Sequence, residues 1–323
     1  MGRIVESAHA KINLVLDVGP VRSDGYHWIH TVMQSLELRD IVIMEERPAG
    51  ISIECLPGDP TRQGAMFCLE LEPCSMPPSN AENLAWKAAD LLRQAVGIQR
   101  GVSITIRKAI PLAAGLAGGS ADAAAVLRGL NRLWNLGLDL AELAAVGVKV
   151  GADVPFCLLE GTAEVTGIGE KIRPVDSPPP WPVLLLKLPV SVSTKSCYEA
   201  YDKLASPPRV NAPAMLEALA NCDLAAAARR LGNSLEAVTF QQVPELAFWR
   251  QAMEQAGCLG VLMSGSGPTL FGLVRDEEHG HAAFQRLAHR IKQEPPAMLP
   301  NLYLTRFLSS NRQDQFEGGT RHA

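Results

Sequence analysis

The sequence predicts an α+β fold in two parts. Strand-like segments cluster in the first half, helical spacing dominates the second, and no regular βαβ repeat runs through the chain. A length of 323 residues favours two domains over one. Hydrophobic residues make up 47% of the chain, enough for two sizeable cores.

The elements follow in order. Residues 12–18 and 41–45 read as strands, with 51–55 close behind. Residues 83–96 have helical spacing, because Leu84, Ala88, Leu91, Leu92 and Ala95 recur every three or four positions. Val102, Ile104 and Ile106 alternate as one face of a strand. A glycine-rich loop and an Ala-rich helix over 120–133 come next, then a short helix over 140–150. Residues 156–159 and 163–165 are strand-like. A proline-rich turn at 177–182 precedes a very apolar strand at 183–188. Helices are expected at 214–220, 224–231, 244–255 and 281–292. Strands at 260–263 and 269–274 flank a second glycine turn, and 302–307 is the last strand. The polar tail from Ser309 onward is expected to be disordered.

Composition excludes several classes. A net charge of −4 argues against a broad nucleic-acid surface. No apolar run reaches membrane-spanning length, and the first ten residues lack the core of a secretory signal. The seven cysteines are scattered and form no Cys-x-x-Cys, so they read as reduced thiols without a zinc site. The histidines form no metal-ligand cluster. These features suit a cytoplasmic compartment.

The most informative stretch is Pro111, Leu112, Ala113, Ala114, Gly115, Leu116, Ala117, Gly118, Gly119 and Ser120. Its small residues let another molecule approach the backbone. The helix behind it presents unpaired N–H groups and a positive dipole end, which together make an anion site. It is not a Walker A loop, since no Lys precedes Ser120, and the dinucleotide fingerprint fails as well. By itself, such a loop is equally a tightly packed helix start that binds nothing.

Other signals are individually weak. Lys11 and Asn13 lie two apart on a strand and share a face, but exposed strand polars are common. Asp153, in Gly-Ala-Asp-Val-Pro, is most simply a turn or cap residue and alternatively a general base. Tyr26 and His27 follow Asp24-Gly25; they would suit a planar base, though a half-buried Tyr beside a turn is ordinary. Asn83 reads mainly as an N-cap.

Their order is distinctive. Ala-Lys-Ile-Asn-Leu, Asp-Gly-Tyr-His, Pro-x-x-x-Gly-Leu-x-Gly-Gly-Ser, Gly-Ala-Asp-Val-Pro-Phe and Ser-Gly-Ser-Gly-Pro follow one another from about residue 7 to 274. The chain therefore resembles the galactose, homoserine, mevalonate and phosphomevalonate (GHMP) kinases. Gly-Tyr-His and Gly-Ala-Asp-Val-Pro-Phe resemble the branch acting on a cytidine diphosphate–linked methylerythritol in the non-mevalonate isoprenoid pathway.

The resemblance implies a two-domain fold with the active site in the cleft between domains. The boundary is placed near Glu160, although the 177–182 turn also has linker composition. It implies ATP as phosphoryl donor, with Mg²⁺ accompanying it, and transfer to the acceptor's 2-hydroxyl. The loop from Pro111 to Ser120 would cradle the ATP phosphates, with Asn83 near the nucleotide. Lys11 and Asp153 match the catalytic pair. Asn13 would hold the methylerythritol, His27 would read the cytosine edge, and Tyr26 and Tyr198 would sandwich the ring. Ser264, Gly265, Ser266 and Gly267 would line the phosphate side, or merely support the first loop. A small-molecule kinase of this kind implies no nucleic-acid or membrane partner, a monomer or weak homodimer, and a cytoplasmic or plastid-stroma location.

This chain departs from the pattern in places. Ala113, Ala114 and Ala117 stand where relatives often carry glycine, and any position needing φ > 0 would be strained. Ala121 replaces a second hydroxyl, and residues 66–79 have no assigned role. Two other readings stay open. Another GHMP kinase would not need the base-stacking Tyr26, His27 and Tyr198. A nucleotide-binding module without catalysis would not need Lys11 and Asp153.

Overall fold

A computed structural model describes residues 2–23, 25–71, 75–293 and 298–309. Asp24, Cys74 and the tail beyond Ser309 lie outside the described residues.

Two long strands, β1 (Arg3–Val21) and β2 (His27–Arg47), form the antiparallel spine of a seven-stranded sheet. β3 (Ile51–Pro57) joins this sheet, whereas β4 (Phe67–Leu69) crosses to a second one. Helix α1 (Leu84–Val96) is capped by the Asn83 side chain, which accepts from the Ala85 N–H. β5 (Gly101–Lys108) pairs with β2 and β3. Then come α2 (Gly118–Leu133), α3 (Leu140–Val150) and α4 (Val154–Leu159). β6 (Thr162–Gly167) pairs with the N-terminal half of β2, and β7 (Lys171–Val175) closes that edge.

The second sheet begins with β8 (Pro182–Lys187), immediately after the proline-rich turn. α5 (Thr194–Tyr201), α6 (Ala212–Ala220) and α7 (Leu224–Arg230) lead to β9 (Gly232–Asn233), a two-residue strand that returns to pair with β1. α8 (Glu236–Gln242), α9 (Glu245–Ala256), β10 (Gly260–Met263), β11 (Thr269–Leu273), α10 (Glu277–Gln293) and β12 (Asn301–Arg306) complete the chain. The second sheet is antiparallel, in the order β10-β11-β8-β12-β4. Residue 160 therefore lies between α4 and β6, where the chain still has three strands, β6, β7 and β9, to add to the first sheet.

β8 shows how the sheets stack. Val183 and Leu185 enter a core that includes Ile12 and Leu14 of β1, while Leu184 and Leu186 enter another with Trp249 and Phe284. A strand buried on both faces loses the polar alternation of a half-exposed one and reads as a continuous apolar run. On the far face of the first sheet, Ala121, Ala123, Ala124 and Ala125 let α2 lie close against its neighbours.

The expected strand at 156–159 is a helix. A four-residue apolar run carries no periodicity that separates strand from buried helix. Pro155 sits in the first turn of α4, where its fixed φ is compatible with helix and its missing N–H costs nothing. β4, β7, β9, α5 and α8 go beyond the elements expected from the sequence. Pro174 and the flanking charges of β7 suit an edge strand, where Pro is tolerated. The other elements agree with expectation to within a few residues at their ends, except that β1 and β2 are much longer than the segments marked in the sequence.

Candidate active site

The glycine loop passes directly into α2. At the N-cap stands Ala117 with φ 55°, and no side chain caps the helix. The first-turn N–H groups therefore open toward the cleft rather than into a cap. Gly115 has φ 72°, and a Cβ there would fall 2.2 Å from the Ser264 carbonyl oxygen. That close approach, together with the positive φ, is why position 115 needs glycine. The Ser264 hydroxyl donates to the Gly115 carbonyl at 2.9 Å, and the Asn233 amide donates to the carbonyls of Met263 and Gly265. The two turns thus hold each other. Of the alanines, Ala113 (φ 49°) and Ala117 are in the left-handed region and Ala114 is not. The loop therefore carries backbone strain at two positions that glycine would relieve.

Lys11 and Asn13 are not solvated. β1 is flanked by β2 and β9, and the two side chains are only 4% and 2% exposed. The Lys11 ammonium donates to Asn13 Oδ1 at 2.7 Å, and Asn13 donates onward to Thr31 Oγ1 at 2.9 Å. The Lys11 backbone N–H also donates to the Leu116 carbonyl, tying the strand to the loop. Asp153 occupies the N-cap position of α4 but makes no side-chain cap bond. Its carboxylate turns instead to Lys11, with 3.5 Å between Nζ and Oδ2. The ordinary explanation for an Asp in such a turn fails on this point.

Lys11, Asn13 and Asp153 open onto a cleft of about 830 Å³. Pro111, Leu112, Ala113, Ala114, Gly115, Ala117, Gly118, Gly119 and Ser120 line it from the first loop, and Gly265, Ser266 and Gly267 from the second. Tyr26, His27 and Tyr198 line it as well. His27 is 8% exposed, its ring centroid 5.0 Å from that of Tyr198, while Tyr26 is 61% exposed. Burial pushes the Tyr198 hydroxyl above the usual phenol range, so it remains a neutral O–H.

Three expected residues are outside the lining. Leu116 is buried beneath the loop, Ser264 braces it, and Asn83 is occupied by its cap and by donation to the Pro78 carbonyl. The sequence reading passed over Thr194, Lys195, Glu199 and Asp202, which α5 and its C-cap bring to the cleft. A signal was present in Ser193, the N-cap, and in the i,i+4 pair Lys195–Glu199.

A second missed cluster lies under the loop. Asp40 Oδ1 accepts the N–H groups of Ala109 and Ile110 at 2.6 and 2.9 Å, and Asp40 Oδ2 contacts Lys108 Nζ. Lys108 also donates to Asp122 Oδ2 in α2 at 2.6 Å. A Cβ on Gly118 would come within 3.0 Å of Ile110 Cγ2 and 3.6 Å of this ammonium. Burial and the adjacent Asp40 carboxylate raise the Asp122 carboxyl well above the usual range, against the lowering pull of Lys108. Among the described residues no group of three His, Cys, Asp or Glu side chains could hold a metal ion. The described cysteines are free thiols.

The model for the GHMP kinase N-terminal domain matches residues 83–161, and that for the GHMP kinase C-terminal domain matches 215–293. The 4-diphosphocytidyl-2-C-methyl-D-erythritol kinase of Exiguobacterium sibiricum is 43% identical over 308 residues, covering 95% of this chain and 99% of that one. The chain belongs to this kinase family. The enzyme of the same name from Bacillus subtilis is 44% identical over 275 residues, covering 85% of this chain and 89% of the relative. A crystal structure of 4-(cytidine 5'-diphospho)-2C-methyl-D-erythritol kinase superposes with a TM-score of 0.76 at 34% identity, covering 95% of this chain and all of the other. The homoserine kinase of Cytophaga hutchinsonii superposes almost as well, with a TM-score of 0.73, at only 19% identity. Backbone likeness alone thus marks the superfamily fold, and sequence identity marks the branch. As a GHMP kinase, the chain is an ATP-dependent phosphotransferase of mixed α and β structure. No helix among the described residues is long and apolar enough to cross a membrane.

Proposed function

We propose that this chain transfers the γ-phosphoryl group of ATP to the 2-hydroxyl of 4-diphosphocytidyl-2-C-methyl-D-erythritol, a step in the non-mevalonate route to isoprenoids. The observation that carries the reading is the Lys11–Asp153 pair. It opens onto a cleft that is lined by the glycine loop and also by His27 and Tyr198.

Asp153 accepts the proton of the acceptor hydroxyl as that oxygen attacks the γ-phosphorus. The new O–P bond forms while the bond to the β-phosphate bridging oxygen breaks, and ADP leaves with that electron pair. Lys11 pairs with Asp153 and offsets charge growing on the transferring group. The backbone N–H groups at the start of α2 hold the phosphates. Asn13, fixed by Lys11 and Thr31, orients the methylerythritol. His27 reads the cytosine, with Tyr26 and Tyr198 on the ring faces. The N-terminal part, through about Glu160, supplies the loop and the reactive pair; the C-terminal part supplies Tyr198 and the 264–267 turn.

Mg²⁺ would contribute charge neutralisation on the phosphates. The donors present fit a metal carried chiefly by ATP: the Asp153 carboxylate and the Ser120 hydroxyl are among the oxygens lining the cleft, and among the described residues no group of three His, Cys, Asp or Glu side chains could hold a metal ion. The reading also places the protein in the cytoplasm as a monomer or weak homodimer.

A coupled ADP-release assay with the cytidine-linked alcohol, mevalonate and homoserine tests the assignment. Turnover of the cytidine-linked alcohol alone is expected. Turnover of mevalonate or homoserine without it would sink the reading.

A further inference from the structure

The His27 ring has one hydrogen-bond partner among the described residues, and it is a carboxylate. Its Nε2 lies 2.7 Å from Asp202 Oδ1. An ionised carboxylate only accepts, so a neutral imidazole in this contact carries its hydrogen on Nε2. Nδ1 then carries a lone pair. The ring cannot readily turn to exchange its nitrogens. Tyr198 packs beside it at 5.0 Å and Tyr201 meets it edge-on at 6.3 Å, with the Tyr201 hydroxyl itself anchored on the Val18 carbonyl. Asp202 is the C-cap of α5, the helix that also carries Tyr198. One helix therefore supplies both the aromatic neighbour and the group that fixes the tautomer.

We propose that Asp202 determines which pyrimidine the cleft accepts, by holding His27 as the Nε2–H tautomer with Nδ1 as acceptor. The proposal rests on the functional reading above only in placing a base beside His27. The two pyrimidines differ at position 4, where cytosine carries an amine donor and uracil a carbonyl acceptor. An acceptor nitrogen facing that position takes the cytosine amine and sets a lone pair against uracil O4. The other tautomer, or an imidazolium, would present N–H and remove that preference. Asp202 touches no substrate atom in this scheme; it is a positioning residue acting through His27. A purely structural role for this hydrogen bond would fasten α5 to β2 without affecting the choice of base.

The test has two independent readouts on the full-length protein. Imidazole ¹⁵N spectra, with His27 assigned by the His27→Gln variant, report the tautomer without any substrate. A pyridine-like Nδ1 and a pyrrole-like Nε2 are expected. Calorimetric binding of CDP and UDP reports base choice without turnover. Wild type should favour CDP by tenfold or more, and Asp202→Ala should lose most of that ratio while ATP affinity is unchanged. A hydrogen on Nδ1 in the wild-type spectrum would overturn the proposal, as would an unchanged CDP-to-UDP ratio in Asp202→Ala. If the wild type does not phosphorylate the cytidine-linked alcohol, the functional reading fails. The spectrum and the CDP-to-UDP ratio still decide the role of Asp202.

Discussion

Two lysines are buried in the N-terminal half, and their surroundings differ in one respect. Lys108 is sealed between Asp40 and Asp122, both nearly inaccessible, with the Asp40 carboxylate also occupied by two backbone N–H groups. Lys11 is buried to a similar degree, but its carboxylate partner Asp153 is one-third exposed, stands 3.5 Å away and makes no cap bond. The Lys108 cluster is closed and holds the loop's entrance to the start of α2. The Lys11 pair is open on one side, which is what a proton acceptor needs. Ion pairs of the same residue types thus serve structure or chemistry according to whether a reactant can reach them.

The comparison is broken most directly at Asp153. Asp153→Asn keeps shape and removes basicity, so kcat should fall by a factor of at least ~10² with ATP affinity nearly unchanged. Steady-state kinetics alongside equilibrium binding of ATP measures both. Unaltered turnover would remove Asp153 from the reaction.

Lys108→Met should act differently. It strands the buried Asp40 carboxylate and removes the hydrogen-bond partner of Asp122, and should cost about 3–5 kcal/mol of folding stability. Denaturant unfolding gives the loss, and activity should track the folded fraction. A well-folded Lys108→Met variant with reduced activity would show that the closed cluster is not merely structural.

Asp122 sharpens the contrast through pH. Its carboxyl is raised, so the native state keeps a proton that the unfolded chain gives up near pH ~4. The unfolded state then binds fewer protons, and the stability tied to this group is lost as pH rises from there through the raised native value. Asp122→Asn leaves a charge-balanced Lys108–Asp40 pair and should flatten that decline. Thermal unfolding from pH 5 to 8 compares the slopes, and parallel slopes would contradict the assignment.

The smallest effect belongs to the loop itself. Ala113→Gly and Ala117→Gly relieve left-handed alanines and should each raise stability by about 1 kcal/mol or less. Melting curves measure it. A loss of stability at both sites would mean that rigidity outweighs strain there.

The same distinction separates what the chain states locally from what it does not. The sequence by itself determined the helix over α1, with Asn83 as its cap, and the glycine loop feeding α2. Those features depend on residues a few positions apart. The order of its motifs also marked the family, and with it Lys11 and Asp153 as a pair. It did not determine α4, because four apolar residues pack equally well in a buried helix. It could not reveal that β1 is an interior strand, since that depends on β9, more than two hundred residues away. Lys11 and Asn13 lie inside the protein because the glycine loop, Asp153 and Thr31 close over that stretch of β1, none of them near it in sequence. The contact of His27 with Asp202 and the joining of Asp40, Lys108 and Asp122 were likewise decided only by the tertiary structure. A side chain's partner across the fold is set by how sheets and helices stack, and no local pattern of residues encodes that distance.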